Sequence, residues 1–318
     1  MSVDRARVSQ RCSEVWAPGP RGGDRRGGAG LFGRGRARVL GWVWVALIWV
    51  FGLWGGAGAE RAAEVRLPAG VTYRLEVLEK PRPVRVHELV VELEQGGWEL
   101  AVAVAPDPDG PGGAEAQLMS PMELAARAGL VVAVNANAFA WLDGPSGREA
   151  PARWREGMRV DILGWAHDGR REVSRPERRH WSVWQEPAGR VRLGQVDEGR
   201  PVRWAASGFG ALVMAGQEVP VEGRTRHPRT AVGLDATGRR LWWVVVDGRR
   251  PGYSEGMTLR ELAGWMRRRG CWEAVNLDGG GSSVLLVRGV GGRLEVVNRP
   301  SEGSPRPLPV LMGLRVRN

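Results

Sequence analysis

Lysine is almost missing from this sequence: Lys80 is the only one, and arginine supplies the rest of the 46 basic residues. A GC-rich genome produces that bias, so the formal net charge of +11 says little about partners by itself. Up to Ala59, nine arginines face three acidic residues, and the remainder carries about +5 along its length. No basic stripe or nucleic-acid-binding motif stands in the chain, which argues against a nucleic-acid partner. Cysteine is equally scarce, with Cys12 near the start and Cys271 in the body. Removal of the leader would leave Cys271 without a disulfide partner, as a small buried apolar residue. The four histidines are scattered and show no metal-ligand spacing. No lysine follows a glycine-rich loop, which excludes a P-loop, and no nucleophile elbow is present.

Long apolar runs are missing too, with one exception. Residues 39–54 are uncharged and apolar, yet short of the ~20 residues that span a bilayer comfortably. Arg34, Arg36 and Arg38 precede the run, and Ala57-Gly-Ala59 follows it. A positive region, an apolar region and an A-x-A site describe a secretory signal peptide. The expected organisation is a disordered basic leader over 1–38, a signal-peptide apolar region and cleavage site over 39–59, and one domain over 60–318. That places the mature protein outside the cytoplasm, periplasmic or extracellular. The alternative is a retained N-terminal anchor, the sole membrane contact expected.

The body alternates polar and apolar residues in short segments. Residues 71–78, 84–93 and 98–104 read as strands, 130–134 as a buried strand, and 209–214 as another apolar strand. Residues 231–235 and 240–246 read as a hairpin around Thr237-Gly238. Two helices carry terminal signals. One runs from a Ser120 cap, with Pro121 first and Glu123 completing a capping box, to Gly129. The other runs from a Thr258 cap, with Glu261 three residues on, to Gly270. Residues 141–160, rich in Gly, Pro and Arg, read as a surface insertion. Many strands with two clear helices predict an α+β fold: a mixed, largely antiparallel sheet with a few flanking helices.

Polar residues gather at strand ends, where a sheet can aim them into one cleft. Asn135 and Asn137 follow a buried strand. His227, Arg229 and Thr230 precede one, and Asp247 and Tyr253 follow another. The densest group is Asn276-Leu-Asp-Gly-Gly-Gly-Ser-Ser283, between two strands. Consecutive glycines Gly279, Gly280 and Gly281 let backbone approach a ligand, and their amides can form an anion nest. Ser282 and Ser283 add hydroxyls, and Asp278 a carboxylate. A plain hairpin turn is the alternative for this segment.

The stretches His227-Pro-Arg-Thr-Ala-Val-Gly233, Val246-Asp-Gly-Arg-Arg-Pro-Gly-Tyr-Ser254 and Asn276-Leu-Asp-Gly-Gly-Gly-Ser-Ser283 resemble, in order and spacing, the phosphodiester glycosidase family. Asn298-Arg-Pro300 with Arg306 is similar to its closing motif, and Asn135-Ala-Asn-Ala-Phe139 to its opening one. The resemblance covers roughly 80–318. It implies hydrolysis at a sugar's anomeric carbon with a phosphate as leaving group, on a phosphate-linked carbohydrate such as a cell-envelope glycan. Site chemistry agrees. Arginine binds phosphate bidentately, which suits Arg229 and Arg306 with the glycine amides. A carboxylate favours positive charge on the sugar ring, which suits Asp278 and Asp247, with Asn276 beside them. No cofactor is expected, and no ligand spacing supports a divalent ion at Asp278. Two other readings stay open: an exported carbohydrate-binding protein using its tryptophans, and a phosphodiesterase that splits the P–O bond.

If the N-terminal pattern is a cleaved signal, the exported protein begins at or near Glu60. N-terminal sequencing checks this, and retention of 39–54 would show an anchor instead.

Overall fold

The computed structural model describes residues 67–110, 113–143 and 151–317. The expected leader, the signal segment and the first residues of the expected domain lie outside these. Among the described residues are twenty strands and two helices, α1 (Pro121–Arg127) and α2 (Leu259–Arg268). Every strand pairing is antiparallel. The α+β expectation is therefore corrected to a largely β fold. The helices have seven and ten residues, too little to form a layer of their own.

The first sheet has seven strands in the order Val71–Leu78, Val84–Glu92, Arg240–Val246, Arg229–Leu234, Glu273–Asn276, Gly210–Met214 and Gln217–Glu218. A second, of five, orders Leu294–Val296, Leu285–Arg288, Leu130–Asn135, Val310–Val316 and Trp98–Val104. A third, also of five, holds Trp181–Gln185 and Trp204–Gly208 at its middle. A small three-stranded sheet pairs Arg159–Ile162 with Ala116–Gln117 and Phe139–Trp141, so the expected insertion 141–160 begins and ends in strand.

Period-two alternation divides the first sheet between two cores. Leu241, Trp243 and Val245 join Val132, Val134, Leu285 and Leu311 of the second sheet in the main core. Trp242, Val244 and Val246 point the other way, against Leu262 and Met266 of α2. Helix α2 carries the expected capping box: Glu261 N–H donates to Thr258 Oγ1 at 3.1 Å, and Thr258 N–H to Glu261 Oε2 at 2.9 Å. At α1 the box does not form, because the Ser120 side chain makes no capping bond. The hairpin forms as expected, with Asp235 Oδ1 accepting from the amides of Arg239 and Arg240. Among the described residues, no helix is long and apolar enough to cross a membrane.

The two large sheets are joined through one buried side chain. Asn135 ends a strand of the second sheet. Its Nδ2 donates to the Asp278 carbonyl at 2.6 Å, and its Oδ1 accepts from Thr230 Oγ1 at 2.7 Å and Val284 N–H at 3.1 Å. Thr230 and the strand leading to Asp278 belong to the first sheet. Asn135→Ala would leave two buried donors and one acceptor unmatched. Each unmatched group costs roughly 1–3 kcal/mol, so the variant should lose at least about 2 kcal/mol in a denaturant titration. A loss below ~0.5 kcal/mol would show that water replaces the amide.

Candidate functional site

The glycine turn lies where the first sheet hands the chain to the second. Its main-chain groups are largely committed to the protein. Gly279 N–H donates to the Asp278 carboxylate at 2.9 Å, Gly280 N–H to Pro228 O at 2.9 Å, Ser282 N–H to Gly279 O at 3.1 Å and Ser283 N–H to Gly280 O at 3.3 Å. The expected anion nest of glycine amides is thus corrected: Gly279 and Gly280 have no amide to offer. The glycines serve close approach instead. A Cβ on Gly281 would overlap the Glu302 carboxylate and the Arg306 guanidinium. Gly280 has φ +61°, and a Cβ there would stand 3.1 Å from Arg249 Nη2. One on Gly279 would meet Pro228 O at 2.9 Å.

Asp278 is half-buried at the centre of this turn. Burial pushes its carboxyl above the ordinary carboxylate range. The Ser282 hydroxyl, Arg306, the Gly279 amide and Arg249 oppose that rise without cancelling it. Arg306 donates to Ser282 Oγ at 3.4 Å and is ion-paired with Glu302. It therefore ties Asp278, through Ser282, to a second carboxylate.

Arg229 stands behind the turn, its Cα 3.7 Å from a Cβ placed on Gly279. It is 8% exposed, yet its guanidinium meets neutral carbonyls: Nε donates to Met257 O at 3.0 Å and Nη2 to Thr225 O at 3.2 Å. Burial and then Arg249 lower its pKa to about 10. Arg249 donates to His227 Nδ1 at 3.1 Å, which makes that nitrogen an acceptor. Burial, Arg229 and Arg249 lower the His227 pKa further. A buried guanidinium beside a second one, with carbonyls in place of a carboxylate, is a cation arrangement that an anion completes.

The remaining sequence candidates take other places. Asn135 and Thr230 form the inter-sheet link. Asn137 is also interior, donating to Leu163 O at 3.0 Å and Trp165 O at 3.1 Å and accepting from Ser207 N–H at 3.1 Å. All three side chains are taken up in bonds within the framework. Asp247 is taken up likewise. Arg229 pairs with Val246 across the hairpin, so Asp247, one residue on, takes the opposite face. There its carboxylate accepts from His87 Nε2 at 3.1 Å, Tyr253 Oη at 3.3 Å, Asn298 Nδ2 at 3.1 Å and Arg299 N–H at 2.9 Å. Tyr253 goes with it, its ring between the guanidinium groups of Arg85 and Arg299. Asn276 and Ser283 are buried, and Asn276 Oδ1 and Ser283 Oγ meet no donor or acceptor among the described residues.

Two residues were missed by sequence reasoning. Arg249 was hidden in an Arg-Arg pair that reads as a loop; its φ of +58° is unusual for a non-glycine residue and marks the position as special. Glu302 sits in a Ser-Glu-Gly turn with no signal of its own, and only its approach to Gly281 reveals it. Beside Glu302 a cleft of about 820 Å³ opens, lined by residues 151–156 and by Glu302, Arg306 and their neighbours. Among the described residues, no group of three His, Cys, Asp or Glu is arranged to hold a metal.

The fold and this geometry define a β-rich protein with several guanidinium groups gathered around a carboxylate turn. The chain belongs to the phosphodiester glycosidase family, whose model matches residues 128–315. Among solved structures it is similar in fold to the zebrafish N-acetylglucosamine-1-phosphodiester alpha-N-acetylglucosaminidase catalytic domain, auto-inhibited by its pro-peptide. That match has 20% identity and a TM-score of 0.54, covering 80% of this chain and 87% of that one. A Synechocystis protein matches with 16% identity and a TM-score of 0.53, over 78% of this chain and 62% of its own. A Burkholderia pseudomallei protein matches with 16% identity and a TM-score of 0.51, over 73% and 74%. No individual curated protein matches the chain.

The raised Asp278 carboxyl has a consequence for stability. A carboxyl whose folded pKa lies above its unfolded value of about 3.9 stabilises the fold fully below that value and loses its contribution as pH rises through the folded one. Asp278→Asn should therefore melt above the wild type at pH 7, with the gap closing towards pH 4. Each kcal/mol corresponds to roughly 2–4 °C in a domain of this size. A variant that melts lower at pH 7 would show that the arginines outweigh burial.

Proposed function

We propose that this chain is an exported hydrolase that breaks the C–O bond between a sugar's anomeric carbon and the phosphate attached to it. Family membership supports a glycosidase acting on sugar phosphodiesters. The observation that carries the finer reading is a set of guanidinium groups around the turn that Asp278 opens. Arg229 is buried against carbonyls with Arg249 beside it, and Arg249 and Arg306 both act on Asp278. Export rests on the charged, apolar and Ala-Gly-Ala pattern that ends at Ala59.

The chemistry follows from where charge develops. As the C–O bond breaks, its electron pair goes to the bridging oxygen, which leaves with the phosphate. A phosphate ester leaves well at neutral pH, so the demand on a general acid is lower than for an ordinary glycoside. The departing charge is met by the Arg229 and Arg249 guanidinium groups, whose planar forks suit phosphate oxygens. The opposite charge grows on the sugar ring, where the Asp278 carboxylate stabilises it. Burial that disfavours ionised Asp278 turns to advantage here, because a cationic ring adds to the charge that Arg306 and Arg249 supply.

Hydrolysis of a sugar-1-phosphodiester in oxygen-18 water tests the reading. The label should enter the sugar; label in the phosphate would mean P–O cleavage and overturn it. Asp278→Asn should lower turnover about 10²–10⁴-fold while substrate still binds. Because ionised Asp278 is required and its pKa is raised, wild-type rate should fall on acidification at a pH above the ordinary carboxylate range. An acid limb at or below about pH 4 would remove Asp278 from that role.

A further inference from the structure

Hydrolysis needs a second proton-handling group besides Asp278, because water must lose a proton as it bonds to the anomeric carbon. Asp247 was the sequence candidate, but its carboxylate is enclosed by four donors. Glu302 has the opposite character. Its carboxylate crowds Gly281, in the turn that holds Asp278, closely enough to exclude a Cβ there. It is ion-paired with Arg306, which donates to Ser282, whose hydroxyl is hydrogen-bonded to Asp278. Its side chain is 40% exposed and lines the 820 Å³ cleft, so solvent water reaches it.

We propose that Glu302 is the second catalytic carboxylate, the base that takes the proton from the attacking water. This rests on the C–O cleavage reading above. The water oxygen bonds to the anomeric carbon and its proton passes to a Glu302 oxygen. The pair of the breaking bond leaves on the phosphate, or on Asp278 if that residue has first bonded to the sugar. Glu302 then returns its proton to solvent through the cleft. Either route requires the same deprotonation, so the assignment does not depend on which one operates. The glycine at 281 acquires a reason beyond turn geometry, since any side chain there would push Glu302 and Arg306 away from Asp278.

The competing role for Glu302 is to hold Arg306 in place, and the two roles give different kinetics. A lost base lowers kcat and is rescued by a nucleophile that needs no deprotonation; a lost clamp on Arg306 raises KM and is not rescued. Wild type and Glu302→Gln are compared on a sugar-1-phosphodiester, with and without sodium azide. The wild type must first show C–O cleavage. If it does not, the proposed function fails before Glu302 is in question. Given that cleavage, Glu302→Gln should lose about 10²–10³ in kcat with KM changed less than threefold, and azide should restore at least tenfold with formation of a glycosyl azide. Normal kcat, or a loss that azide leaves untouched, overturns the assignment. Gly281→Ala gives a second check: its Cβ displaces both Glu302 and Arg306, so the part of its loss that azide restores reports on Glu302 and the remainder on Arg306. It should reproduce the azide-rescued loss, and wild-type turnover in that variant would count against the proposal.

Discussion

Asn135 holds the molecule together at the place where its chemistry is concentrated. One buried amide bonds to Thr230 and to the Asp278 carbonyl in the first sheet, and to Val284 N–H in its own. Two sheets packed only by apolar contact could slide by a fraction of an ångström at little cost. Three directional bonds inside a dry core do not allow that. The glycine turn runs from Asp278 to Ser283, so both of its ends are referred to the same side chain. A second polar knot lies alongside, where Asn298 donates to both the Asp247 carboxylate and the Ser283 carbonyl. The turn is a rigid mount although its sequence is glycine-rich, and its flexibility in the unfolded chain says nothing about its state in the fold.

How much of this was legible beforehand depends on which physical signal each residue carries. Alternation is a local property, so the strands and the Asp235 hairpin were readable, and so was the α2 cap, because Thr258 and Glu261 lie within one turn. The same signal implies that Trp242 and Trp243 face opposite ways, and they do. The balance of helix against sheet was misjudged, since two well-marked helices weigh more in a sequence than in a structure of twenty strands. The Ser120 cap failed for a related reason: the residue pattern was present, but the side chain adopts no capping bond.

At the site, residue types were legible and their roles were not. Asn135, Asn137 and Thr230 stand at strand ends, as ligand-binding residues do, but a strand end can as well face the neighbouring sheet. Only the register decides, and register is a long-range property. Asp247 shows this in one step: Val246 pairs with Arg229, so its neighbour must turn to the other face. Glu302 was invisible for the opposite reason. It lies in a turn whose composition is ordinary, and it is placed by Arg306 four residues on and by a glycine in another motif.

The electrostatics of the site run against the stability of the fold. Arg229 is buried beside Arg249, and its pKa is pulled down to about 10; Asp278 is half-buried at the head of the glycine turn, and burial pushes its pKa up. Each shift means that the charged form is held in a place that disfavours it. The two would relieve one another if they were paired directly, and a fold selected for stability alone would pair them. Here Arg229 turns to the carbonyls of Met257 and Thr225, while Asp278 turns to Ser282 and to Gly279 N–H. A ligand with a phosphate at one end and a cationic centre at the other would answer both charges at once, without either side chain moving to meet the other. A sugar-1-phosphodiester acquires that second feature only as its C–O bond breaks. On the proposed reading, the same separation that costs the fold stability would favour the transition state over the bound substrate, which is the condition for catalysis and not for binding alone.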